Sequence, residues 1–172
     1  FVTVAANVDS DKKPSQRTHD RGRGYEVTAT TTVPADVLQS VLKTTPETIL
    51  EVAHAKLDLG SDIAGAIGKN CHAANIIAAL YLATGQDPAH VVEGSLADTN
   101  ISLSQRERVR VRSSDSVIIA THLPAILVGV RGGGTTLPAQ SQCLNLLLRS
   151  KVSGLKFPQQ LAESVGAAVL AG

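Results

Sequence analysis

Asp11-Lys12-Lys13-Pro14 sets two ammonium groups beside a carboxylate in a polar stretch of the chain. A lysine so placed can stabilise a developing oxyanion or hold a carboxylate substrate. On a solvated loop it can also do neither, and exposed lysines are the norm. Asp87 precedes Pro88, the place of a residue that caps a helix by accepting backbone N–H bonds. The same carboxylate can hold a lysine or pass a proton. His72 and Asn75 stand at i and i+3 in an alanine-rich, otherwise apolar run from Cys71 to Thr84, so they share a helix face. A helix apolar nearly all round is usually buried, and the pair then needs partners from the protein or from a ligand. Lys56 follows the apolar stretch Ile49 to Ala55, where a cation suits the C-terminal end of a helix dipole.

Other groups carry weaker chemistry. Gly132-Gly133-Gly134 would let backbone approach a cofactor closely, but lacks the strand–GxGxxG–helix setting of a dinucleotide fingerprint. Cys71 and His72 are too small a set for zinc. Arg106, Arg108, Arg110 and Arg112 alternate along one face of a strand-like run; this is a solvated edge or a polyanion site.

The elements that must position these residues follow from pattern. Residues 9–24 read as a loop and Tyr25 to Val33 as a Thr- and Val-rich strand. Pro34 starts a helix from Ala35 to Lys43, and Thr44-Thr45-Pro46-Glu47 opens another to about Leu57. Gly60 to Gly68 is a small-residue helical segment, followed by the helix from Cys71 and a short one from Asp87-Pro88 to about Glu93. Ile101 to Leu103, Val109 to Arg112 and Val117 to His122 read as strands; Leu137 to Leu148 and Pro158 to Leu170 as helices. The class is α+β, helix-rich with a small sheet.

Composition bounds the rest. The 172 residues are 43% hydrophobic and 18% charged with net charge +1, one domain or part of one. That balance implies no strong attraction to nucleic acid or an anionic membrane. No apolar run approaches the ~18 residues of a membrane span, and no signal peptide is visible. Cys71 and Cys143 lie in no metal-ligand spacing and read as reduced thiols in a reducing compartment. The chain has no Met and begins inside the strand-like run Phe1-Val2-Thr3-Val4, which reads as part of a longer reading frame.

Taken in order, several segments resemble 3-hydroxy-3-methylglutaryl-CoA (HMG-CoA) reductases of class I, the reductases of the mevalonate pathway. They are Asp11 to Pro14, Val41 to Thr45, Lys56 with Leu59 to Ser61, His72 to Ile76, Ala83 to Asp87 and Gly132 to Thr135. The resemblance covers nearly the whole chain, with the helix Ala73 to Asp87 its most specific part. It implies part of a helix-rich large catalytic domain over residues 1–172, incomplete at both ends and lacking the cofactor-binding insert. It implies reduction of the thioester of HMG-CoA to mevalonate and CoA with two hydrides from NADPH. By motif, Lys12 is then the catalytic cation and Asp87 its acidic partner. Asp11, Lys13, Lys56 and Asn75 contact the substrate, and Lys43 and His72 contact CoA. Gly85, Gln86, Gly132, Gly133 and Gly134 lie on the nicotinamide side. No metal is implied. A homodimer or homotetramer with the active site between subunits is implied, in the cytoplasm or on the cytosolic face of the endoplasmic reticulum if the whole protein carries an anchor.

Some positions depart from the pattern. The family usually has Ser where Ala5 stands, Asn at Leu57 and Glu at Leu127, and the turn Gly68 to His72 is one residue short. The family's catalytic Glu and its CoA-protonating His have no counterpart here. The alternative is a diverged, non-catalytic relative that binds a CoA ligand or another subunit.

Overall fold

The computed structural model describes residues 3–4, 7–104, 115–149 and 152–172. Its centre is a sheet in the order β1-β3-β2, formed by Tyr25–Val33 (β1), Asp98–Leu103 (β2) and Val117–Ile126 (β3), with both pairings antiparallel. Val27 stands opposite Leu123, and Asp98 opposite His122. β3 carries Pro124, which cannot donate to a ladder. It tolerates this because β2 ends opposite His122 and the β1 register shifts between Tyr25 and Val27. The freed Pro124 carbonyl accepts the Arg23 N–H at 3.1 Å.

Two helices, Ala73–Thr84 (α5) and Phe157–Ala171 (α8), pack with this sheet. Ala73, Ile77 and Tyr81 join Val27, Leu123, Ile126, Ala162, Val165 and Val169 in one core. Aromatics are almost absent, so small residues set the spacing: a Cβ on Gly166 of α8 would lie 2.4 Å from Val27 Cγ1. Burial pushes the Tyr81 phenol up to about 12.

Before α5 come Gln16–Arg21 (α1), Ala35–Ser40 (α2) and Pro46–Ala53 (α3). Thr45 caps α3 by accepting the Thr48 N–H at 3.2 Å, with Pro46 and Glu47 in its first turn, as the sequence suggests. α3 runs on through a π-helical stretch, His54–Gly60, into Ser61–Ala64 (α4). After α5 come a 3-10 turn, Pro88–His90, and Val91–Gly94 (α6). A second 3-10 turn, Gly133–Thr136, leads into Pro138–Leu147 (α7).

Two expectations change. α1 lies inside the segment read as a loop; it has no apolar residue, and His19 pins it to Asp98 of β2 at 2.7 Å. α5 is not buried all round: its core face is Ala73, Ile77, Tyr81 and Thr84, while Asn75 and Leu82 are exposed. His72 is its N-cap and not part of the helix body. No helix among the described residues is long and apolar enough to cross a membrane.

Candidate active site

Lys12 sits near the end of residues 7–13, a segment with no buried side chain. Polar bonds must therefore position it. Its Nζ lies 3.0 Å from Asp87 Oδ2. Asp87 meanwhile accepts the Ala89 N–H at 3.0 Å through Oδ1 and caps the turn Pro88–His90. Both readings of Asp87 hold together: one oxygen caps, the other faces a lysine. The bond to Lys12, helped by the Ala89 N–H, holds the Asp87 carboxyl below the usual carboxylate range. The same bond raises the Lys12 ammonium.

Beside this pair lies a cluster that sequence reading missed. Arg23 pairs with Asp11 and with Glu93, the latter at 2.8 Å. The Arg23 bond keeps the Asp11 carboxyl low. Glu93, on α6, is 0% exposed. Its Oε1 also accepts the backbone N–H of Lys12 at 2.7 Å, and its Oε2 lies 3.3 Å from His90 Nδ1. His90 Nε2 stands 3.9 Å from Asp87 Oδ2. A sequence signal did exist: Asp87, His90 and Glu93 recur at i, i+3 and i+6, a spacing that stacks them along a helical run. Donor atoms of Asp11, His90 and Glu93 lie within 4.8 Å of one another, as metal ligands can. Here the Arg23 guanidinium rests on both carboxylates and supplies the balancing charge.

The other wall is built from backbone. Gly85 ends α5 in the left-handed region at φ 70, and a Cβ there would lie 2.3 Å from the Gly134 carbonyl carbon. Gln86 grips the following segment in both directions: Nε2 donates to Gly129 O at 3.0 Å, and the Gly129 N–H donates to Oε1 at 2.8 Å. A cavity of about 360 Å³ opens between them, lined by Gly85, Gln86, Asp87, His90, Gly132 and Gly133, with Leu127 at its side. Gly132 and Gly133 adopt φ 79 and 55 with open space where a side chain would stand.

The remaining expected site residues lie elsewhere. Lys56 and His72 share a separate, mostly apolar cavity of about 350 Å³ with the buried Leu57. His72 Nδ1 is buried there without a partner among the described residues. Lys13 turns back on its own loop, its Nζ 2.9 Å from Asn7 O, 2.7 Å from Asn7 Oδ1 and 3.0 Å from Asp9 O. Lys43 and Asn75 are exposed and line neither cavity. Ala5 and the Arg106 to Arg112 stripe lie outside the described residues.

An ammonium paired with a carboxylate at the edge of an open cavity can polarise a carbonyl and return a proton to it. Comparison with known proteins puts this geometry in context. The family described as hydroxymethylglutaryl-coenzyme A reductase matches residues 1–172. The 3-hydroxy-3-methylglutaryl-coenzyme A reductase of Methanothermobacter thermautotrophicus is 43% identical over 171 residues, 99% of this chain and 40% of the relative. Reductase 2 of Dictyostelium discoideum is 42% identical over 176 residues, covering 99% of this chain and 32% of the relative. The Methanocaldococcus jannaschii reductase is 41% identical over 172 residues, 99% and 39%. The chain thus spans less than half the length of these curated relatives. With the ordered motifs and a match from the first residue to the last, the chain belongs to the hydroxymethylglutaryl-coenzyme A reductase family.

Proposed function

We propose that this chain forms part of the catalytic domain of an HMG-CoA reductase, which reduces the thioester to mevalonate and CoA. The observation that carries the reading is the Lys12–Asp87 pair, 3.0 Å apart, beside a cavity lined with bare glycine backbone. The raised Lys12 ammonium stays protonated and offers N–H bonds to the thioester carbonyl oxygen. It stabilises the alkoxide that develops as that carbon is reduced. Asp87, held as a carboxylate, orients the ammonium and keeps it charged as the alkoxide develops. Asp11, Lys13, Lys56 and Asn75 are proposed to hold the substrate, and Lys43 and His72 to contact CoA.

A nicotinamide cofactor fits the glycine side. Its cavity lies within the usual volume of a ligand site, and Gly132 and Gly133 present backbone that no side chain shields. Gly85, Gln86, Gly132 and Gly133 would hold it, with Gly134 setting the wall behind Gly85. NADPH, when bound, supplies hydride. The exposed face of α5, Asn75 and Leu82 included, is consistent with a dimer or tetramer whose site is completed by another subunit. The compartment proposed is the cytoplasm or the cytosolic face of the endoplasmic reticulum.

The test is NADPH oxidation with HMG-CoA, comparing this chain with a protein extended at both ends. The extended protein is expected to turn over, to lose turnover in Lys12→Ala, and to outperform the bare chain. Turnover that survives Lys12→Ala sinks the assignment of the cation. Calorimetry showing HMG-CoA binding with no hydride transfer supports the non-catalytic alternative instead.

A further inference from the structure

Glu93 is the least accessible charged group of the site, and it touches no part of either cavity. Its bonds instead run to the pieces that must be held in place. Oε1 receives the Lys12 N–H at 2.7 Å from a residue 81 positions away, and Arg23 Nη1 at 2.8 Å. Oε2 faces His90 Nδ1 at 3.3 Å. Arg23 carries the link onward to Asp11, the neighbour of Lys12.

Two features say what this does. Lys12 has φ 55, a left-handed conformation that disfavours side chains. Such residues persist where the surroundings over-determine them. The segment 7–13 also has no buried side chain to anchor it. Its backbone conformation at Lys12 therefore depends on polar bonds from outside, and among the described residues the Glu93 bond is the one made to the Lys12 main chain. Turned in that way, the side chain reaches Asp87 at 3.0 Å.

We infer that Glu93 is a positioning residue: its buried carboxylate fixes the backbone at Lys12 and braces Arg23 against Asp11, so that the Lys12 ammonium meets Asp87. Its significance for reduction rests on Lys12 being the catalytic cation, but the positioning itself can be measured without turnover. The charged and titratable groups around Lys12 are Asp87, Asp11, Glu93, His90 and Arg23.

The experiment is a carbon-detected NMR titration of lysine side chains in this chain. Lys69, raised by its own bond to Asp62 at 2.9 Å, reports whether each variant is folded. In Glu93→Ala the Lys12 midpoint is expected to fall back toward that of a free lysine while Lys69 stays raised. Glu93→Gln keeps an oxygen for the Lys12 N–H and is expected to keep Lys12 raised. If Glu93→Ala unfolds and Lys69 falls as well, Glu93→Leu, which refills the space without an acceptor, gives the same comparison. Lys12 remaining raised in the folded Ala or Leu variant overturns the inference. So does a Gln variant that loses the shift as fully as Ala. In the extended protein, Glu93→Ala should lower kcat with little change in KM. A wild-type extended protein without turnover defeats the reductase reading and leaves the titration to judge Glu93.

Discussion

Replacing Gly85 by alanine tests how the glycine wall is made. Two costs are expected, and the structure separates them. The first is conformational: Gly85 has φ 70, and a side chain in that region costs about 1–2 kcal/mol. The second is steric. The new Cβ would lie 2.3 Å from the Gly134 carbonyl carbon, 2.4 Å from its oxygen and 2.7 Å from Thr135 N. All three are backbone atoms, so relief requires moving the Gly134 segment by about 1 Å, at an overpacking cost of about 1–3 kcal/mol. Gly65 is the control. It also ends a helix, at φ 64, but nothing lies within 4 Å of its Cβ position. Gly65→Ala should lose only the conformational part, about 1–2 kcal/mol. Gly85→Ala should lose about 2–5 kcal/mol in all. Urea denaturation of both variants, with thermal melts in parallel at about 2–4 °C per kcal/mol for a chain of this size, gives the difference. Equal losses at the two positions would refute the claim that Gly85 and Gly134 are in mutual contact.

Three further outcomes are expected. Gly166→Ala should cost about 1–3 kcal/mol because its Cβ meets Val27 Cγ1 at 2.4 Å. Adding Val27→Ala should recover part of that loss, and strictly additive losses in denaturation would argue against the contact. Burial lowers the His19 imidazole, but its bonds to Asp20 and Asp98 outweigh this and raise it above 6.5. The stability it contributes is therefore complete below pH 6.5 and fades as pH rises through the raised value. A melting profile across that range should flatten in His19→Gln; an unchanged slope refutes the link. Asp87 is held low, so its contribution is present above 3.8 and disappears as pH falls through the depressed value. Asp87→Asn should remove that acid limb from a melting profile, leave the neutral melting point almost unchanged because the pair is half-exposed, and abolish turnover of the extended protein.

What could be read from sequence was whatever local chemistry decides. β1 follows from its Thr and Val content, α3 from Thr45-Pro46-Glu47, and the end of α5 from Gly85. α1 is not legible in the sequence because no apolar period marks it; a long-range bond from His19 to Asp98 holds it instead. Composition overstates the burial of α5 because it counts apolar residues without saying which side meets the sheet. Lys12 and Asp87 stand out through their motifs, and the fold brings them 3.0 Å apart. Glu93 does not, since its importance lies in partners 70 and 81 positions away. A buried carboxylate looks like any surface glutamate until the fold brings its partners in.

The division of labour within the Asp87 carboxylate bears on how such a site can decay. One oxygen organises a turn and the other faces the ammonium. Asparagine would keep the first duty, since its amide oxygen caps well, and would forfeit the second. An apolar residue would forfeit both. A single change at this position thus offers a route by which chemistry is lost while the scaffold survives. On the proposed assignment, the residue that a relative carries in place of Asp87 separates a working site from a folded remnant more sharply than identity over the whole chain.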